Sequence, residues 1–461
     1  YTKIADRRWS SAEYALYQKG IILGLQNKGD EKIAALKKLS TEFPGSNYSA
    51  KANFETGETY LQLNNLESAR TAYQKVILEN PNSPLLPKCY VKLAVIDYNS
   101  GAKENSAEDY KEIVKKYPDS KEAKESIDAL KDIYVELGKP DEYFNFVKGN
   151  SDVNISSLQE DSLTYLSAEK AYSADDCARA IILYGNYVTK FPNGLFANEA
   201  HWKKSECLVK SKDFVSALAD YEAIIQNRYT KYLEKALLKA SGIAYYELKD
   251  YAKANNFYKQ LYAVSTSAQN TYTAMLGLLR TAVKLNNPTE IVEYADQFVN
   301  SGAAANADLQ EAIFEKAKAY YSLGNKEFAL GAFNRVTEMP VSEKAVEAKY
   351  MVAKILFEEQ NYKGSLDTCF MLKNKYSSYE YWVAKTFILI ADNYYAQGNL
   401  FQAKATLQSI VENYDGDKTV LDEAKTKLEK IRTEDLNKSK IMQTTPSDTL
   451  FMETDSLINA H

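Results

Sequence analysis

The chain has 461 residues, 45% hydrophobic and 26% charged, with 57 Lys and Arg against 62 Asp and Glu. This mildly acidic, mixed-charge composition is that of a globular protein and lacks the basic excess of a nucleic-acid binder. Two His and four Cys are too few for most zinc or disulfide frameworks, and apolar runs such as 387–391 fall far short of the roughly 18 residues of a membrane helix.

Residues 1–8 read as the end of a second helix belonging to a preceding unit. They contain no basic segment followed by an apolar run, so no signal peptide is expected within them. From there the chain repeats itself. An aromatic helix end, a short polar turn and a helix with a small residue in its first turn recur at 59–69, 244–254, 319–329 and 393–403. The small residue falls at Ala34, Ala69, Ala107, Tyr143, Ala180, Ala217, Ala254, Ile291, Ala329, Ser365 and Ala403, at spacings of 35 to 38. Tyr143, Ile291 and Ser365 are the degenerate members.

Each unit reads as two helices. The first carries a small residue seven before the turn, at Gly57, Ala168, Ser205, Gly242, Ala317, Ala353 and Ala391, which lets helix axes approach closely. In the second, an aromatic follows the ruler residue by four, at Tyr73, Tyr184, Tyr221, Tyr258 and Phe333, so both share one buried stripe. Pro44, Pro81, Pro118, Pro192 and Pro340 end units, because proline cannot continue the helix. Near the end a last helix, about Val420–Ile431, is expected to cap the array, which otherwise exposes an apolar face. From Thr433 the pattern fails, and 433–461 reads as a disordered tail. Gly149–Ser157 reads as a hinge, which divides the chain into 1–149, 150–432 and the tail. Cys89, Cys177, Cys207 and Cys369 are widely spaced, form no C-x-x-C pair, and read as small buried hydrophobes.

These features resemble the tetratricopeptide repeat (TPR), whose period is roughly 34 with aromatic, small and terminal Pro positions in this order. The resemblance covers about residues 10–415. It implies an all-α, right-handed superhelical solenoid of about eleven helix–turn–helix repeats. The longer period, with Phe43-Pro44-Gly45-Ser46, Tyr117-Pro118-Asp119-Ser120 and Phe191-Pro192-Asn193-Gly194, looks like TPR proteins of bacterial cell envelopes. Those include the barrel-assembly lipoprotein and the Tol–Pal coordinator. The run 400–417 resembles large TPR proteins of Bacteroidetes. A periplasmic or cell-envelope setting is what this resemblance implies, in outer-membrane assembly, secretion or envelope maintenance.

No enzyme signature accompanies the repeats. P-loop, dinucleotide and H-E-x-x-H motifs are missing, and His201, beside Trp202 on a first helix, reads as structural. Asp415-Gly416-Asp417 lacks the further ligands of a calcium loop and reads as one helix ending before the next begins. No metal, cofactor or catalytic residue is expected. Thr449 and Ser456 lie in Asp–Thr/Ser–apolar triplets that resemble the O-glycosylation sequon of periplasmic Bacteroidetes proteins; Asp161-Ser162-Leu163 is a third, which also reads as a helix cap.

In TPR arrays the first helices line a concave groove that takes a protein or peptide. Carried over slot by slot, the position ten before each turn residue holds Phe54, Tyr165, Trp202, Phe314 and Tyr350, with Lys239 and Ile388 interrupting. Six before the turn lie Glu58, Glu169, Glu206, Lys318, Lys354 and Asp392. Three before it lie Leu61, Tyr172, Val209, Tyr246, Tyr321, Phe357 and Tyr395. Rings flanked by charges suit a peptide groove. The competing reading packs the rings between repeats, above all those nearer the turn. A chaperone-type carboxylate clamp is not expected, since Lys239 is followed one turn on by Ile243. The sequence thus points to a non-catalytic scaffold. A cytoplasmic TPR adaptor and a glycan-binding outer-membrane lipoprotein are the alternatives, the near-constant period counting against the second.

Overall fold

The computed structural model describes residues 11–302 and 306–444. Among them are 23 α-helices and one π-helical turn, with no strand, in the expected all-α arrangement. Two compact units divide at residue 236, Tyr1–Ala236 and Leu237–His461. The expected division after 149 falls inside the first unit. There Ser167 Oγ donates to the Val135 carbonyl at 2.9 Å and Arg179 to that of Glu136, tying together the repeats on either side.

The turns set the repeat. Each first helix ends at a left-handed residue: Asn27, Asn64, Asp175, Lys212, Lys249, Asn286 and Gln360, with Gly101, Gly138, Gly324 and Gly398. Their spacing is 37 from Asn27 through Asn286, then 38, 36 and 38. At Asn64 the following N–H, of Asn65, bonds back to the Tyr60 carbonyl at 2.8 Å, which closes the helix end. Asn65 then caps the next helix, its side chain accepting from Ser68 N–H at 3.1 Å. Asp176, Asp213, Asp250, Asn287, Asn325, Asn361 and Asn399 repeat this cap.

Measured from these turns, two ruler positions shift. The slot assigned to Ala34 belongs to Lys32, and that assigned to Ala107 belongs to Ser106, which is fully buried. Alanine was the better small residue by type, but the turn geometry chooses its neighbour.

The buried stripe is as read. In the first unit Tyr73, Tyr184 and Tyr221 are buried against Gly57, Ala168 and Ser205. A Cβ on Gly57 would lie 2.6 Å from the Tyr73 ring. In the second unit Tyr258 and Phe333 hold the same place. One small-residue assignment fails there. The first helix of that repeat runs Leu233–Gly242 and continues as the π-helical turn Ile243–Glu247. Asp250 N–H therefore bonds six residues back, to the Ala244 carbonyl, where other repeats bond five back. The extra residue moves the register by one. Ser241, fully buried, takes the slot expected for Gly242, beside which a Cβ would meet nothing within 4 Å.

The last helix is Lys418–Thr444. Val420, Ala424, Leu428 and Ile431 bury one stripe against Ala403, Leu407 and Ile410, which is the expected cap. The helix continues beyond Ile431, so 433–444 is helical and not the start of a disordered tail. No glycine or proline interrupts the sequence before Pro446, and Tyr395 donates to Glu434 at 2.6 Å while Lys404 pairs with Asp435. Thr449 and Ser456 lie outside the described residues.

The cysteines divide into two kinds. Cys89 and Cys369 are free and buried, as expected. Cys177 and Cys207 instead form a disulfide, with Cα atoms 5.2 Å apart. They are 30 residues apart in sequence. Cys177 begins one repeat's second helix and Cys207 lies in the next repeat's first, so the solenoid packing brings them together.

Candidate interaction surface

The rings expected in the groove all make ring contacts within or between repeats. In the first unit Phe54 meets Tyr73 edge-on with centroids 5.6 Å apart. Tyr165, 8% exposed, stacks on Phe196 of the next repeat at 4.4 Å. Trp202 meets Tyr221 edge-on at 5.6 Å and stacks on Tyr232 at 5.7 Å. In the second unit Phe314 is 2% exposed against Phe333, and Tyr350 packs on Trp382 at 5.5 Å. Each of these rings reaches its own second helix, the next repeat, or both. Phe54, Trp202 and Tyr350 are half-buried, and so are Tyr172, Tyr321 and Tyr395, nearer the turn, whose hydroxyls are engaged.

The charged slot forms a ladder between successive first helices. Glu58 accepts from Tyr73 Oη and pairs with Lys92 at 2.9 Å. Glu169 pairs with Lys203 at 2.6 Å and accepts from Tyr165 and Tyr184 at 3.0 and 2.9 Å. Glu206 accepts from Tyr172 at 2.9 Å. In the second unit Asp392 receives Lys427 at 2.6 and 2.8 Å. Lys318 lies over the Phe314 ring and Lys354 over Tyr321, at 5.2 and 5.3 Å. Burial opposes the charge on Glu169, but hydrogen bonds from Lys203, Tyr184 and Tyr165 outweigh it and hold the carboxyl below its ordinary range. Glu136 follows the same rule: burial opposes its charge, yet Lys103, Lys170 and Tyr98 bring it down to about 2.

The ladder partners escaped the sequence reading. Lys92, Lys203 and Lys427 lie 34 or 35 residues after their acids, so opposite charges at one repeat length were a usable signal. The break in the ladder was not legible, because it follows from the π-helical turn. With the register moved, Gly242 stands in the charged slot and Lys239 and Ile243 leave their assigned ones. Beside it a small cleft of about 100 Å³ is lined by Tyr245, Tyr246, Tyr258, Tyr272 and Arg280. Arg280 turns forward, to Glu311 at 2.7 and 2.9 Å and Asp308 at 3.1 Å.

His201 Nδ1 lies 2.7 Å from Asp220 Oδ1. Among the described residues no three His, Cys, Asp or Glu side chains are arranged to hold a metal ion. None of the described helices is long and apolar enough to cross a membrane.

Three segments match a tetratricopeptide-repeat family model: 51–83, 88–120 and 386–417. No curated protein matches the chain. Among solved structures, Naa15/Naa10 bound to HypK-THB is 15% identical, covering 92% of this chain and 67% of that one, with a TM-score of 0.36. YrrB, described as a TPR protein with an unusual peptide-binding site, is 16% identical over 45% of this chain and 97% of its own, at TM-score 0.34. The C-terminal part of a TPR repeat-containing protein from Cytophaga hutchinsonii is 14% identical over 56% of this chain and 97% of its own, at TM-score 0.38.

Proposed function

The chain is a tetratricopeptide-repeat protein, and from that premise we propose that it is a non-catalytic scaffold of the bacterial cell envelope, holding a partner protein on its first-helix face. The observation that carries the scaffold reading is the ladder. Along each unit it sets out charge and tyrosine hydroxyls at the repeat spacing above packed rings, and preorganised surfaces lose least on binding. Lys318, with 47% of its side chain exposed, and Tyr246, 63% exposed, are the open points of this face. The Cys177–Cys207 disulfide supports the envelope setting, since such bonds persist in oxidising compartments and are rare in the cytosol. By resemblance the process is outer-membrane assembly, secretion or envelope maintenance.

Photo-crosslinkers placed at Lys318 and Tyr246 in intact cells test the reading, with the 79%-exposed Leu78 on a second helix as control. The expected result is capture of an envelope protein from the first two positions and not from the third. Capture of cytosolic proteins alone overturns the envelope assignment, as does full alkylation of Cys177 and Cys207 in cells quenched without reductant.

A further inference from the structure

A second surface lies in the first unit, away from the ladder. The second helices Gly29–Glu42 and Leu66–Glu79 flank the first helix Ser49–Gln62. Between them is a cleft of about 400 Å³, within the roughly 300–1,000 Å³ range of small-molecule sites. Its lining residues are nearly all of polar type, where such sites are mostly lined by apolar ones. Thr41, Thr56, Ser68 and Thr71 line it, the Thr56 and Thr71 hydroxyls donating to the Ala52 and Glu67 carbonyls at 2.8 and 3.0 Å, and Lys37, Lys75 and Glu67 line it too, Lys75 also lying 3.8 Å from Glu79. Asn53 also lines it. This side chain is 4% exposed, and its Nδ2 is a buried donor with no hydrogen-bond partner. Such a group is unfavourable while it stays unpaired.

The repeat itself indicates what is missing. Counted from the left-handed turn residues Asn64 and Lys212, the slots of Asn53, Thr56 and Ala72 are those of His201, Lys204 and Asp220. In that later repeat the polar groups converge on a carboxylate. His201 Nδ1 and Lys204 Nζ both lie against Asp220, at 2.7 and 3.2 Å. In the earlier repeat Ala72 lines the cleft where the acid would stand. The Asn53 donor is kept, Thr56 instead donating to the Ala52 carbonyl at 2.8 Å, and the acceptor is absent.

We propose that this cleft binds a small hydroxylated carboxylate of hexuronate size. Its carboxylate takes the place that Asp220 fills four repeats later and accepts from Asn53 Nδ2. Lys37 and Lys75 supply the balancing charge. Lys37 is already oriented, since its ammonium donates to Tyr60 Oη at 2.8 Å. The ligand's hydroxyls replace their lost water with Thr41, Ser68 and Thr71, which is what a polyol requires on entering a site.

Calorimetric titration of the full chain with glucuronate, glucose and acetate tests the assignment. Glucuronate is expected to bind one saturable site at least about tenfold more tightly than either control, because each lacks half of the recognised groups. Ala72→Asp, which places an acid beside Asn53, should abolish glucuronate binding while leaving the helical spectrum unchanged. Lys37→Gln, at the exposed rim, should weaken glucuronate and leave glucose unaffected. No saturable binding of glucuronate up to tens of millimolar overturns the proposal, as does undiminished binding by Ala72→Asp. Binding of an acidic peptide in its stead overturns the small-ligand assignment.

Discussion

Lys203 Nζ lies 2.6 Å from Glu169 Oε2, joining the first helices of two successive repeats. The same carboxylate accepts from Tyr165 and Tyr184, one on its own helix and one on the second helix of its repeat. One acid therefore ties together three helices.

Glu169→Gln should cost about 1.5–3 kcal/mol at pH 7, the range for hydrogen bonds to a charged group. The Glu169 pKa is held down in the folded protein, so this stabilisation is present above the ordinary carboxylate pKa and is lost as pH falls through the folded value. Denaturation of both proteins at pH 7 and at about pH 3 checks this, with the difference expected to shrink at the lower pH. Lys203→Met combined with Glu169→Gln should cost less than the two single changes added, since both remove one interaction.

Asp109 has the opposite sign. Burial, then the charge of Asp97, raises its pKa to about 6, against the pull of Arg70. The protonated form is favoured on folding, so stability falls as pH rises through that value. Asp109→Asn should stabilise the protein at pH 7.5 by up to about 3 kcal/mol, at 1.36 kcal/mol for each pKa unit. At pH 4 the two proteins should melt nearly together. Equal melting temperatures at both values would show that the carboxylate is not disfavoured.

Trp202→Ala should cost roughly 3–5 kcal/mol by opening a cavity between Tyr221 and Tyr232. Emission from a chain keeping Trp202 alone, with Trp9 and Trp382 changed to Phe, should be blue-shifted and poorly quenched by acrylamide. A red-shifted, fully quenched signal with little loss of stability would return this ring to the partner-binding face.

Two glycines should respond in opposite directions to the same change. Gly57→Ala drives a methyl into the Tyr73 ring and should destabilise by about 1–3 kcal/mol. Gly242→Ala meets open space at the end of a helix and should stabilise by roughly 0.5–1 kcal/mol. Chemical denaturation of the two variants tests the register shift directly. Destabilisation by Gly242→Ala would restore Gly242 to the packed slot.

The sequence by itself determined the repeat. Tyr73, Tyr184 and Tyr221 above their small partners encode two helices that must pack, and Asn or Asp after eight of the eleven left-handed turn residues encodes where the next helix begins. These are local signals, satisfied by residues within one unit of about 37, so they can be read along the chain. The Asp220 partner of His201 was not legible along the chain. What lay between units was decided by tertiary structure. Whether Tyr165 faces a ligand or Phe196 depends on how the next repeat is placed, and both outcomes suit an aromatic at that slot. The Cys177–Cys207 bond joins positions that carry no shared motif and meet only when repeats stack. The π-helical turn at Ile243–Glu247 left the period at 37 while moving the side chains before it by one position. A repeat length counts residues between turns, whereas side-chain direction depends on hydrogen-bond register within the helix, and only the folded backbone shows that register.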